Sequence, residues 1–423
     1  MMKLLALSLF ALTYLLLLLL PKIRAYTAVA SAAIFVILGI LPADKLLQTI
    51  DWNVLLMIAG TMGTVTLFIE SRMPALLADL IIEKTPDVKW AIVSLSLFAG
   101  IISAFVDNVA TVLMVAPVAL TIAKKLRISP VPSIIAIAVA SNLQGAATLV
   151  GDTTSILLGG YANMDFLDFF MFQGKLGLFW VVQFGALAST IVLLWLFRDE
   201  NEPVTAGERT AVEDYFPSVL LVGTVVLLIL ASFLPEKPAI TNGIICVAIF
   251  IVGLIRDMFK TGNFTMTVKA IREIDFFTIA LLGGLFVVIG GITEAGLVED
   301  VSKLFVSLSG DNLFLIYTLI VWASVLFSAF IDNIPYVATM LPVVSGISTM
   351  MGIEPYILYF GLLCGATLGG NLTPIGASAN ITALGILRKD GYKVSSGEFM
   401  KIGIPFTLSA VVAGYLAIWF IWR

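Results

Sequence analysis

Long apolar stretches, each close to the length of a bilayer-crossing helix, run through the chain and are separated by short polar turns. A spanning helix needs roughly 20 mostly apolar residues. On that rule the pattern predicts spans near 4–20, 26–42, 52–69, 131–162, 174–197, 217–234, 239–255, 276–293, 355–387 and 402–422. The runs 131–162 and 355–387 are too long for one straight crossing, and glycine and polar positions interrupt both. Each is expected to be a broken helix. Two further apolar stretches, 90–125 and 312–350, carry an Asp-Asn pair at their middle and read as re-entrant helical hairpins. Segments 73–85 and 296–308 mix charge with apolar positions, as interfacial amphipathic helices do. The expected fold is an all-α polytopic membrane protein with about ten spanning helices and two hairpins. Residues 1–20 read as a retained first span, because Lys22 and Arg24 follow the apolar run without a small-residue cleavage site.

The pattern repeats. Ser103-Ala104-Phe105-Val106-Asp107-Asn108-Val109 matches Ser328-Ala329-Phe330-Ile331-Asp332-Asn333-Ile334, and Pro117 matches Pro342. Upstream, Asp51-Trp52 matches Asp275-Phe276, and Glu70 matches Glu294; downstream, Ala147-Thr148-Leu149 matches Ala366-Thr367-Leu368. The copies are 1–197 and 217–423, joined by a polar linker at 198–216. Five crossings plus one hairpin per copy would invert the second copy relative to the first. Inverted repeats with interrupted helices are a layout of secondary transporters, with the site near the midplane.

Composition narrows the reading. Hydrophobic residues make up 60% of the 423 and charged residues only 12%, against about 25% charged in ordinary soluble domains. A net charge of −4 excludes a basic nucleic-acid footprint. Histidine is absent, which removes His-liganded zinc, Ser-His-Asp triads and histidine proton relays together. Cys246 and Cys364 lie far apart in apolar runs and read as buried small hydrophobes. Ten crossings put both termini on one face, with Lys3, Lys45, Lys175, Lys237, Lys303 and Arg423; the other face takes the remaining eighteen of the 24 lysines and arginines. The excess marks the cytoplasmic side, so the termini are expected outside and the protein in the plasma (inner) membrane.

Candidate chemistry concentrates at the hairpin tips and the breaks. An Asp inside a span costs about 2.5–3.5 kcal/mol on insertion scales, and Asp107-Asn108 and Asp332-Asn333 recur with both flanks. The simpler alternative is a turn with the acid capping the next helix. The first break reads Gly145 to Ser155 and the second Gly365 to Asn380, with Pro374 inside it. Unwound carbonyls and hydroxyl or amide oxygens can ligate an ion where irregular backbone lines a cavity. The expected site gathers Asp107, Asn108, Thr148, Gly151, Asp152, Thr153, Thr154, Asp332, Asn333, Thr367, Gly370, Asn371, Thr373, Ser378 and Asn380. Asn371 is expected where the second repeat would carry the counterpart of Asp152. Glu70 and Glu294 are secondary candidates. No Lys or Arg is expected inside the constellation, so its carboxylates call for a mobile cation or proton. If Na⁺ is that ion, Asp107, Asn108, Asp332 and Asn333 are its expected ligands.

SAFVDNVATVLMVAPV, SNLQGAATLVGDTTSILLGG, SAFIDNIPYVATMLPV and GATLGGNLTPIGASANITALG carry a resemblance to the ion-transporter superfamily. That group includes arsenite permeases, NhaD-type sodium/proton antiporters, the pigmentation P protein, and citrate and dicarboxylate/sodium transporters. The resemblance implies facing hairpins with ion sites at their tips and an elevator-like shift of a transport part (near 90–197 and 312–423) against a scaffold (near 1–70 and 217–293), often in a homodimer. Asp107 and Asp332 stand where the dicarboxylate branch has Ser, and Asp152-Thr153-Thr154 resembles the sodium/proton antiporter pattern.

The expected function is a secondary active transporter of a small ion or inorganic solute of the arsenite or anion-permease class, coupled to H⁺ or Na⁺. The alternative is a Na⁺/H⁺ antiporter; behind these stand a sodium-coupled carboxylate symporter and an ion channel. An intramembrane aspartyl protease would need Gly-x-Gly-Asp, whereas Leu149-Val150-Gly151-Asp152 lacks the first glycine. No enzyme and no cofactor beyond the coupling ion are expected; the partners are the lipid bilayer and the transported solute.

Overall fold

The computed structural model describes residues 2–204, 209–212, 214–310 and 312–423. Among the described residues twenty α-helices follow one another in two corresponding sets of ten. The first set is α1 (Met2–Leu19), α2 (Arg24–Ile37), α3 (Leu46–Thr49), α4 (Trp52–Glu70), α5 (Met73–Ile82), α6 (Val88–Ser103), α7 (Asn108–Leu126), α8 (Val131–Gly145), α9 (Thr153–Tyr161) and α10 (Leu178–Leu196). The second is α11 (Phe216–Ser232), α12 (Thr241–Thr261), α13 (Thr265–Arg272), α14 (Phe276–Glu294), α15 (Leu297–Ser309), α16 (Leu313–Ser328), α17 (Asn333–Met351), α18 (Tyr356–Gly369), α19 (Ser378–Lys389) and α20 (Ser396–Trp422). A two-stranded hairpin, Met171–Phe172 with Lys175–Leu176, precedes α10.

The same local chemistry starts matching helices. Asp51 caps α4 by accepting from Val54 N at 3.0 Å, and Asp275 caps α14 by accepting from Thr278 N at 2.9 Å. Asp107 caps α7 and Asp332 caps α17 in the same way. Each cap satisfies backbone donors that the first helical turn leaves open.

Among the described residues eight helices are long and apolar enough to cross a membrane: α1, α4, α7, α10, α12, α14, α17 and α20. This differs from the ten expected spans. Residues 26–42 and 217–234 yield only the 14 residues of α2 and the 17 of α11. The runs 131–162 and 355–387 do break, into α8 with α9 and α18 with α19. Conversely, the second arms of the expected hairpins, α7 and α17, are each 19 residues long. At 1.5 Å per residue that is about 28 Å, the length of a full crossing.

Packing interlocks the two sets. α2 lies on α14 and α4 lies on α12, the same pairing with the sets exchanged. Gly284 sits against the backbone of Ala28, and the matching Gly60 sits against the backbone of Cys246. Lys45 pairs with Glu294 at 2.8 Å and Lys269 with Glu70 at 2.7 Å, so each repeat's lysine holds the other repeat's glutamate. The core runs through α8 and α18, which are buried along nearly their whole length. Helices hydrophobic on all sides belong in such a place. Their few polar side chains then need internal partners.

Candidate functional site

Each broken helix is clasped to a hairpin by matched contacts. Gly151 lies so close to the carbonyls of Gly145, Ser103 and Ala104 that a Cβ would stand 2.6–2.8 Å from them; Gly376 meets the carbonyls of Gly370, Ser328 and Ala329 at 2.5–2.9 Å. Only glycine permits that approach of backbone to backbone. The Thr148 hydroxyl donates to the Ala104 carbonyl, and that of Thr373 donates to the carbonyl of Ala329. Asn380 Nδ2 donates to the Gly370 carbonyl at 3.0 Å and the Thr373 carbonyl at 3.1 Å, closing the second break.

A polar spine then joins the repeats. Asn108 Nδ2 donates to Asn142 Oδ1 at 2.8 Å; Asn142 Nδ2 donates to the Thr367 carbonyl at 2.8 Å and to Asn371 Oδ1 at 3.0 Å. Asn371 Nδ2 in turn reaches the Val139 carbonyl at 3.0 Å. From the first break, the Thr154 hydroxyl donates to Asp152 Oδ2 at 2.7 Å and lies 3.0 Å from the Thr367 hydroxyl. Satisfied buried networks of this kind fix one arrangement of the helices they join.

A cavity of about 240 Å³ opens beside these tips. Asp107, Asn108, Asp152, Thr153, Asn333 and Ser378 line it from the hairpins and breaks. Met62, Val65, Thr66 and Ile69 line it from α4, and Glu273, Asp275 and Thr278 from the start of α14. Its lining holds four carboxylates and, among the described residues, no Lys or Arg. A second cavity of about 850 Å³ lies toward the opposite ends of the same helices, between Asp51, Asn242, Lys237 and Glu294.

The expected residues therefore divide. Six line the acidic cavity, and Gly151 borders it through a small void shared with Asp107 and Asp152. Thr148, Thr154, Thr367, Gly370, Asn371, Thr373 and Asn380 hold the clasps and the spine behind it. Glu70 and Glu294 sit in the two cross-repeat ion pairs, away from the tips. The capping alternative also holds: Asp107 Oδ1 accepts from Val109 N at 3.0 Å and Ala110 N at 3.1 Å, leaving its other oxygen for the cavity.

Two expectations are overturned. The constellation does contain a basic group: Arg24 Nη1 lies 2.5 Å from Asp332 Oδ2, with both side chains less than one-fifth exposed. Arg24 looks like a loop charge in the sequence, but it opens α2, which packs across α14 beside the second tip. The counterpart of Asp152 is not Asn371. Asp152 stands immediately before α9 and Ala377 occupies the same place before α19, so the second break carries no acid there. Sequence reasoning also missed Glu273, Asp275 and Asn142. The repeat of Asp51 at Asp275 was the available signal for one of them.

The family profile described as Citrate transporter matches residues 14–365. The chain belongs to the citrate transporter family. Among its relatives, the 46 kDa membrane protein of Mycobacterium leprae is 30% identical over 99% of this chain and 98% of its own. A Mycobacterium tuberculosis protein named as an uncharacterized transporter is 31% identical over 94% of this chain and 93% of its own. The human P protein is 27% identical over 92% of this chain, which spans 56% of that protein. The fold is similar to the YdaH transporter of Alcanivorax borkumensis, with a TM-score of 0.62 at 14% identity over 89% of each chain. It is also similar to MtrF of Neisseria gonorrhoeae, described as one of a class of antimetabolite efflux pumps, with a TM-score of 0.58 at 15% identity over 90% of this chain and 85% of that one. The protein is a multi-pass membrane transporter of this family.

Proposed function

We propose that the protein moves a small ion or inorganic solute by alternating access, coupled to H⁺ or Na⁺ at the first hairpin tip. The carrying observation is the acidic cavity: Asp107 and Asp152 face it together with no basic side chain in its lining. Ionised carboxylates in a low-dielectric site need a counter-charge, so a bound cation or proton completes them. About 240 Å³ suits a small partly hydrated ion, since larger ligands occupy roughly 300–1,000 Å³. The same lining disfavours citrate, a polyanion, as a cargo bound on its own.

Asymmetry between the repeats supports alternating access. Gly160 of α9 sits against the Asp51 carboxylate at the start of α4, while the matching Gly385 of α19 has open space where Asp275 would stand. The two matching contacts are therefore made at one end of the molecule and absent at the other. Exchanging the two repeats' arrangements would bring Gly385 against Asp275 and release Gly160 from Asp51. In this reading 90–197 and 312–423 move against 1–70 and 217–293. Ion pairs link ends that the charge bias assigns to one face: Lys3 with Asp300, Lys45 with Glu294 and Lys237 with Asp165 on one, Lys124 with Asp390 and Lys269 with Glu70 on the other. By family resemblance the assembly is a homodimer.

A Na⁺/H⁺ antiporter is the second reading, favoured by two neighbouring acids that could exchange one cation for a proton. Proteoliposomes under an imposed pH step separate the two. Na⁺ flux alone marks the antiporter; flux of arsenite or an inorganic anion marks the solute carrier; citrate flux would contradict both. No flux of any of these, or flux untouched by Asp107→Asn, refutes the assignment.

A further inference from the structure

The two tips repeat in sequence but differ in charge. Asp332 pairs with Arg24 from α2, and its neighbours Asn333 and Ile334, rather than Asp332 itself, line the cavity with Asp152 ahead of α9 and Glu273 and Asp275 ahead of α14. Ser378 of α19 adds a hydroxyl 3.4 Å from Asp332 Oδ2. Among the described residues Arg24 is the one basic side chain paired with an acid of either tip. Its guanidinium also lies 6.0 Å from the Phe277 ring centre, and its Nε is buried without a hydrogen-bond partner.

Helix packing identifies the residue of the other repeat that corresponds to Arg24. Ala28 of α2 sits under Gly284 as Cys246 of α12 sits under Gly60. One turn earlier, Arg24 on α2 therefore corresponds to Asn242 on α12. Asn242 is neutral and lines the opposite, larger cavity. Asp107 receives only backbone N–H groups.

An arginine keeps its charge at any physiological pH. Its contact with Asp332 fills the oxygen that a mobile cation would take. Resting on the transport reading above, we propose that Arg24 is a tethered substitute for the coupling cation at the second tip. It confines mobile-cation binding to Asp107 and Asp152 and so sets one cation site per protomer. Arg24 is thus a positioning residue that determines stoichiometry.

The test is equilibrium binding of radiolabelled Na⁺ to the purified full-length protein, counted per protomer at saturation. Arg24→Gln is expected to roughly double the bound Na⁺, because a freed carboxylate regains affinity for a cation. Its thermal stability should then rise with NaCl but not with choline chloride. Arg24→Gln protein that stays monodisperse and binds no more Na⁺ than wild type overturns the proposal. A second variant serves if Arg24→Gln does not fold. Asp107→Asn in the native background is expected to lose Na⁺ binding altogether, whereas retention of half would show that Asp332 takes a cation despite Arg24. Loss of coupled flux in the wild type would instead refute the transport reading, so the two failures are told apart.

Discussion

The first and second hairpin tips begin alike and end in different electrostatic states. Both present Asp-Asn as a helix cap, both are clasped to a broken helix through a glycine and a threonine, and both meet near one cavity. The first then adds Asp152 and no cation; the second has Ala377 where Asp152 would be and takes Arg24 from a neighbouring helix. The repeat accounts for the shared geometry, and three positions, Asp152, Ala377 and Arg24, make the difference in charge.

The largest expected effect falls on the first tip. Asp107→Asn or Asp152→Asn removes a charged contact worth about 1.5–3 kcal/mol, so coupled flux should drop roughly 10–100-fold in proteoliposomes. Equal loss from Asp332→Asn through loss of cation affinity, rather than of protein stability, would erase the contrast between the tips. The clasps should respond alike. Gly151→Leu and Gly376→Leu each force a side chain into backbone carbonyls, at about 1–3 kcal/mol of stability by overpacking. Thermal unfolding in detergent checks this, and a strong difference between the two would show that the breaks are not equivalent.

The two breaks were legible in the sequence, but their matched clasps were not: the repeat of Ala-Thr-Leu pairs Thr148 with Thr367, whereas the structure pairs it with Thr373, and Gly151 with Gly376. The acid tips were legible because Asp-Asn recurs with both flanks. Arg24 was not. It lies 308 residues from Asp332, and nothing local distinguishes it from the topology-setting charges beside it. Asp275 was visible as a repeat of Asp51 yet gave no sign of facing the cavity, since a helix cap and a cavity wall look identical in sequence. The placement of Asn371 failed because aligning the breaks by Ala-Thr-Leu shifts the register. The structural match runs through the paired glycines, which puts Ala377 opposite Asp152. The helices at α2 and α11 are shorter than the apolar runs that contain them, at 14 and 17 residues.

Smaller effects are expected away from the tips. Lys45→Ala and Lys269→Ala break matched, partly exposed ion pairs, each worth about 0.2–1 kcal/mol. Matching losses in thermal stability would support the interlocked repeats, and a loss confined to one would weaken them. Asp214 marks the low end. Burial works against its ionised form, but hydrogen bonds from Arg256, Lys260 and the Phe216 N–H outweigh it and lower its pKa to about 2. A depressed folded-state pKa stabilises above the ordinary carboxylate range, and that contribution fades as pH falls from near 4 toward 2. Asp214→Asn should therefore cost little at neutral pH, cost nothing near pH 2, and leave flux unchanged.

The central claim is that a mobile cation is held at one tip while Arg24 holds the other. A structure of the protein soaked with Tl⁺, read by anomalous scattering, tests it most directly. The account predicts a peak in contact with the carboxylates of Asp107 and Asp152 and none at Asp332. A peak bound to Asp332 with the first tip empty would contradict it.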